Sequence, residues 1–202
     1  MPEIYICTSI EIDGPIPGPH SMRSLGSAAF DRNGELLSSF SVNLQRLRGA
    51  EPHPDILARW KSMPEAWAVV THDPEPPGPA VHDYLRWLEG LPTQKVFVGY
   101  PAGVPFMFVE WYLHHFTGRS PFRRAALDLR TYAMALLQRP YHGTNKRHMP
   151  EDWLRNHPPR TYMALDDAVS VGRLFFSVRG AREDLERIDG PPDDTLPGLL
   201  EE

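Results

Sequence analysis

Carboxylates at the end of a strand and on a helix are the residues of this sequence best suited to chemistry. The segment SIEIDGPIPG, residues 9–18, carries Glu11 and Asp13, and the segment ALDDA carries Asp166 and Asp167. Carboxylate oxygens are the ligands that hard dications such as Mg²⁺ take in proteins. The first segment is typical of a strand end that brings metal-binding carboxylates into an active site.

A basic stretch is the second candidate. Residues 119–160 hold nine Lys or Arg against three Asp or Glu, a local balance of +6. Within it, YHGTNKRH places Lys146 and Arg147 in a Gly-containing loop, which predicts contacts with the phosphates of a nucleic acid. A solvated basic face is the alternative that charge alone leaves open.

Composition predicts one soluble domain. The chain has 202 residues, 41% hydrophobic and 23% charged, with a net charge of −5 that argues against a generic nucleic-acid binder. Cys7 is the single cysteine, so an intramolecular disulfide and a multi-cysteine zinc site are excluded. The sequence contains no apolar run of bilayer length, and MPEIYICTS does not read as a signal peptide, so no membrane partner and a cytoplasmic location are expected.

The order of elements predicts an α/β domain. EIYICTSIEI reads as a buried strand, and SLGSAAF and LLSSFSVNL flank an Asn-Gly turn, so three strands should form an antiparallel meander. Helical spacing follows in HPDILARWKSM and PAVHDYLRWLEGL, then a strand at KVFVGY and helices at VPFMFVEWYLHHF, LDLRTYAMALL and ALDDAVSVGRLFFSV. We expect the domain to span residues 1–180. The acidic, Pro- and Gly-containing tail at 181–202 is expected to be flexible.

This order of strands and helices, together with the sequence segments given next, resembles the DEDDh 3′–5′ exonuclease family, the DnaQ-like branch of the ribonuclease H fold. The resemblance runs from IEIDGPIPGPHSMRSLGSAAF through VGYPAGVPFMFVEWYLHHFTGRSPF and LDLRTYAMALL to ALDDA. It implies a ribonuclease H-like fold with a five-stranded mixed sheet flanked by helices. It also implies a cleft that binds single-stranded DNA or RNA.

The resemblance further implies a chemistry of four carboxylates and one histidine. In the family the carboxylates hold two Mg²⁺ or Mn²⁺ ions, which generate the attacking hydroxide and stabilise the leaving oxygen. The histidine accepts the proton of the attacking water, because its pKa lies near neutrality.

Mapped onto this family pattern, the sequence departs at three of five positions. Ser9 stands where the first Asp belongs, Pro105 where the helix Asp belongs, and Tyr162 where the His belongs. Glu11 and Asp167 are retained and are the two metal ligands that the pattern leaves.

The replacements predict a weakened metal site. A serine hydroxyl is neutral, and a proline side chain has no atom that can bind a metal ion. Tyrosine titrates at about pH 10 and is therefore a poor base at neutrality. Asp13 and Asp166 lie nearby in sequence. Asp166 should point about 100° away from Asp167 on a helix, and Asp13 should serve the turn at DGP. Mg²⁺ or Mn²⁺ is therefore expected to bind weakly or not at all.

We therefore predict a catalytically impaired exonuclease-family protein, retained as a nucleic-acid- or protein-binding module. Two alternatives stay open: an active 3′–5′ exonuclease with a rearranged metal set, and an interaction protein that no longer touches nucleic acid. A protein partner or a homodimer is compatible with each of the three.

Overall fold

A five-stranded mixed sheet forms the centre of the computed structural model, which describes residues 3–92, 94–155 and 161–189. The strands are β1 (Glu3–Ile12), β2 (Met22–Phe30), β3 (Leu36–Asn43), β4 (Gln94–Gly99) and β5 (Ala126–Asp128). Their order is β3-β2-β1-β4-β5. The first three strands form an antiparallel meander, and β4 and β5 add in parallel beside β1. The predicted α/β fold with a five-stranded mixed sheet is confirmed.

Helices cover both faces of this sheet. They are α1 (Pro54–Lys61), α2 (Pro64–Val70), α3 (Pro77–Gly90), α4 (Gly103–Thr117), α5 (Leu129–Leu137), α6 (Glu151–Leu154) and α7 (Ala164–Asp189). The helices α3 and α4 pack on one face, and α5 and α7 pack on the other. In the described ranges, no helix is long and apolar enough to cross a membrane.

Alternation along β1 explains the two cores. Ile4, Ile6 and Ile10 belong to the core under α3 and α4, whereas Cys7 belongs to the core under α5 and α7. Successive side chains of a strand point to opposite faces, and burying each large apolar side chain stabilises the fold by about 1.5–3 kcal/mol. Cys7 is fully buried and burial raises the pKa of its thiol, as expected for an inert cysteine.

The predicted hairpin between β2 and β3 forms at the Asn33-Gly34 pair. Gly34 has a φ of 86°, a conformation that glycine adopts without a Cβ clash. The Asp31 carboxylate accepts hydrogen bonds from the backbone N–H groups of Asn33 and Glu35, both at 2.8 Å. The Asp31 side chain therefore stabilises the turn from within it.

Three features of the fold were not localised from the sequence. Helix α2 lies where no element was predicted, and Pro64 begins it at a position where a missing N–H does no harm. Strand β5 has three residues, too few to show a period. Helix α7 continues past residue 180 to Asp189, and the rest of the predicted acidic tail, 190–202, lies outside the described residues.

Candidate functional site

A cavity of about 460 Å³ opens where β1 and β4 end. Because these two strands are parallel, their carboxyl ends meet at one edge of the sheet. We call this space the site cavity. The predicted site residues among its lining are Ser9, Glu11, Pro105, Lys146 and Asp167. The structure thus brings together five residues from four separate segments of the chain.

β1 supplies Ser9 and Glu11. The two residues are separated by one position, so their side chains lie on the same face of the strand. Glu11 is only 5% exposed. The pairing of β1 with β2 changes register between Glu11 and Ile12, and such irregularities re-aim side chains at the ends of strands.

Helix α4 supplies Pro105, the third residue of the helix. An N–H in this first turn has no partner within the helix, so proline is tolerated there as predicted. The segment before the helix is held by Asp128, whose carboxylate accepts the backbone N–H of Ala102 at 2.6 Å and that of Thr131 at 2.7 Å. Asp128 caps α5 and does not line the site cavity.

Helix α7 supplies Asp167 from its first turn, whereas its neighbour Asp166 does not line the site cavity. Asp166 is exposed and accepts a hydrogen bond from the hydroxyl of Thr161 at 3.3 Å. The expected divergence of these two neighbouring side chains is confirmed.

Tyr162, the position of the family histidine, does not line the site cavity. Its φ is 60°, and its hydroxyl lies 3.3 Å from the sulfur of Met63. Its ring packs edge-on against Trp60, in the small core of α1 and α2. The side chain therefore packs beside the site cavity and does not join the other four motif positions in its lining.

Lys146 and Arg147 are neighbours in the chain, but only Lys146 lines the site cavity. Lys146 is part-buried and lines the site cavity, and its ammonium lies 5.0 Å from the centre of the Tyr100 ring. Arg147 is exposed and does not line the site cavity. Of the two residues, Lys146 alone is at the site cavity, and contacts with phosphate stay a prediction for both.

The sequence reasoning missed Arg59 and Tyr100, which also line the site cavity. Arg59 of α1 reaches the site cavity from an exposed position, and no motif surrounds it. Tyr100 follows β4 and donates a hydrogen bond to the carbonyl of Thr144 at 3.4 Å. Burial raises the pKa of the Tyr100 phenol, and the charge of Arg130 and a hydrogen bond from the Lys146 backbone oppose that rise.

Asp13 serves the architecture, through partners that lie outside the DGP turn predicted for it. Its carboxylate is buried and accepts the backbone N–H of Ser21 at 2.6 Å, which closes the loop after β1. The guanidinium groups of Arg23 and Arg46 each lie 3.7 Å from the same carboxylate. Asp13 is not among the residues that line the site cavity.

The donors in the site cavity do not fit the two-metal set of the family. At the motif positions in its lining, Glu11 and Asp167 supply two carboxylates and Ser9 supplies a neutral hydroxyl, while Pro105 contributes no side-chain donor. Within residues 3–92, 94–155 and 161–189, no three His, Cys, Asp or Glu side chains are grouped so that they could hold a metal ion. Lys146 instead brings a positive charge into the same space.

Comparisons with known proteins agree with this fold. No protein-family model matches the sequence. The 3′–5′ DNA exonuclease Cap18 of Escherichia coli is 28% identical over 134 residues, 64% of this chain and 67% of Cap18. The S. pombe Pop2p structure in its Mg²⁺- and Mn²⁺-bound form aligns with a TM-score of 0.65 at 11% identity, covering 89% of this chain and 84% of Pop2p. The nuclease domain of 3′hExo, a DEDDh family member bound to rAMP, aligns at 0.64 and 14% identity, covering 90% and 92%.

The fold therefore defines an α/β protein of the ribonuclease H-like class. This chain is similar in sequence to Cap18, a 3′–5′ DNA exonuclease, and shares its fold with 3′hExo, a DEDDh family member. Its site differs from the family pattern at Ser9, Pro105 and Tyr162.

Proposed function

We propose that this chain binds the end of a single-stranded nucleic acid in the site cavity and has lost the two-metal hydrolysis of its family. One observation carries the proposal: the cavity combines two carboxylates with the cations of Lys146 and Arg59, where the family pattern requires a larger set of acidic ligands. Cations suit a phosphate, and the missing carboxylates weaken a pair of dications.

The lining suits a nucleotide in a further respect. Tyr100, Pro101 and Val104 add aromatic and apolar surface beside the two cations. Aromatic surface accepts nucleobases of any sequence by stacking, and basic groups hold the backbone. The net charge of −5 then requires that binding depends on these local groups, because the whole chain offers no positive field.

Binding and cleavage are tested separately with the same labelled single strands. Fluorescence anisotropy in EDTA should show binding that weakens steeply with added salt, because phosphate contacts release counterions. Arg59→Ala and Lys146→Ala should each weaken it. Arg173→Ala is the matched control, because Arg173 lies near the β2–β3 hairpin at the opposite end of the sheet. An absence of binding at low salt would overturn the proposal and favour a protein-binding role.

Cleavage is followed on strands labelled at the 5′ end, with Mg²⁺ or Mn²⁺ added. We expect no shortening from the 3′ end beyond that seen with Glu11→Gln. Metal-dependent shortening that Glu11→Gln and Asp167→Asn both abolish would show an active exonuclease with a rearranged metal set instead.

A further inference from the structure

The charge of the site cavity has to be balanced within the protein or by bound ions. Glu11 is 5% exposed, and Asp167 lines the same space from α7. Two carboxylates that share a largely buried site repel each other and are poorly solvated, so such groups are found paired with cations. In the family pattern that cation is a divalent metal ion, and the donor set described above does not suit it.

Lys146 enters the site cavity from a well-anchored segment, residues 141–149, which we call the basic loop. Thr144 is fully buried, and its hydroxyl donates to the carbonyl of Tyr141 at 2.7 Å. The carbonyl of Thr144 accepts the Tyr100 hydroxyl, and Met149 is buried in the core under α7. The backbone of the basic loop is therefore anchored on both sides of Lys146.

We propose that the ammonium of Lys146 pairs with Glu11 and Asp167 and takes the charge-balancing place of a divalent cation. This inference rests on the proposed function in one respect, namely that the site no longer uses metal. With Arg59 at the same cavity, two side-chain cations face two carboxylates. A phosphate-bearing strand end would then bind to fixed protein cations, with no divalent ion required.

A double-mutant cycle on the full chain tests the pairing through stability. Lys146→Met removes the charge and keeps most of the aliphatic stem, and Lys61→Met is the matched control at an exposed lysine. Lys146→Met should lower Tm more than Lys61→Met does. The difference should largely disappear in a Glu11→Gln, Asp167→Asn background, because its partners are then neutral. Lys146→Arg should retain most of the wild-type Tm.

Binding of Mn²⁺ alone, measured by the loss of the free-ion paramagnetic signal, provides a second readout. Lys146→Met should bind Mn²⁺ at least about tenfold more tightly than the wild-type chain, since a like charge no longer opposes the ion. Lys61→Met should leave the affinity unchanged. Equal Tm effects of the two Lys→Met changes, with no coupling to the carboxylates, would overturn the inference. So would an unchanged Mn²⁺ affinity in Lys146→Met.

The two proposals fail in different ways. If the cycle shows coupling but no strand binds in EDTA, the pairing of Lys146 stands and the proposed function is wrong. If strands bind and Lys146→Met shows no coupling, the function stands and the internal cation is wrong.

Discussion

Gly26 of β2 lies directly beneath the first turn of α7, where a Cβ would come within 2.2 Å of the backbone nitrogen of Leu165. The same glycine is the register partner of Ser9 in β1. Helix α7 can therefore lie close enough to the sheet for Asp167, two residues after Leu165, to reach the site cavity. The lack of a Cβ at Gly26 thus lets α7 bring the Asp167 carboxylate to the site cavity.

Gly26→Ala should lower the free energy of unfolding by about 3 kcal/mol, because the new methyl meets backbone that has no room to move. Urea unfolding measures this change. Gly90→Ala is the control, because nothing lies within 4 Å of a Cβ built at that position. A Gly26→Ala variant as stable as wild type would show that α7 is not held at this distance.

Millimolar Mg²⁺ or Mn²⁺ should raise the Tm of the wild-type chain by less than about 2 °C. An ion present near its dissociation constant stabilises by only about 0.4 kcal/mol, and two carboxylates facing Lys146 should bind no more tightly than that. Differential scanning fluorimetry in EDTA and in each metal makes the comparison. A large Mn²⁺-dependent rise that is lost in Glu11→Ala would contradict the weakened metal site.

Restoring the missing carboxylates should rebuild metal binding. Ser9 and Pro105 both line the site cavity, so Ser9→Asp with Pro105→Asp places two new carboxylates near Glu11 and Asp167. The double variant should bind Mn²⁺ by calorimetry, and each single change should bind much less, because the ligands act together. A folded double variant that binds no Mn²⁺ would show that the motif positions are wrongly assigned.

Adding Tyr162→His to that double variant should not strengthen Mn²⁺ binding. Tyr162 points toward Met63 and Trp60 and not into the site cavity. Histidine tolerates the left-handed backbone at this position, so the chain should fold. Any gain from Tyr162→His should be in cleavage of a labelled strand. A clear rise in Mn²⁺ affinity would instead mean that the segment before α7 can turn toward the cavity.

Asp13→Ala should destabilise the fold by about 3 kcal/mol. The buried Arg23 would lose its carboxylate partner, and the Ser21 N–H would lose its acceptor. Asp83→Ala is the control, because Asp83 pairs with Arg86 on the surface, where such pairs contribute about 0–1 kcal/mol. Equal losses in urea unfolding would show that the Asp13 network contributes no more than a surface pair.

Two buried tyrosines should make the fold sensitive to alkali. Burial raises the pKa of Tyr84 and Tyr112 above that of an exposed phenol, although hydrogen bonds with Ser27 and Met22 oppose the rise. The folded pKa exceeds the unfolded value of about 10, so their contribution to stability is complete below about pH 10 and is lost as pH rises above it. Urea unfolding from pH 8 to 11 should show this decline, and Tyr84→Phe should make it shallower.

The ionised phenols should appear only as the chain unfolds, which tyrosinate absorbance can follow in parallel with circular dichroism. Titration of all seven tyrosines in the folded chain near pH 10 would contradict the burial of these two.

The sequence by itself determined most of the elements and the departures of the site residues from the family pattern. The β-branched residues of EIYICTSIEI predicted β1, and the Asn33-Gly34 pair predicted the meander. The departures at Ser9 and Pro105 could be recognised because residue type alone decides whether a side chain can bind metal. These are local properties, so the printed sequence contains them.

Only the tertiary structure decided which side chains share the site cavity. Arg59 could not be predicted because its place at the cavity depends on how α1 lies beside the sheet. Lys146 and Arg147 are neighbours in the sequence, yet Lys146 lines the cavity and Arg147 is exposed outside it. Tyr162 lies outside the site cavity, because its left-handed backbone directs the side chain toward α1 and α2. Direction and distance between segments far apart in sequence arise from packing, which no local pattern records.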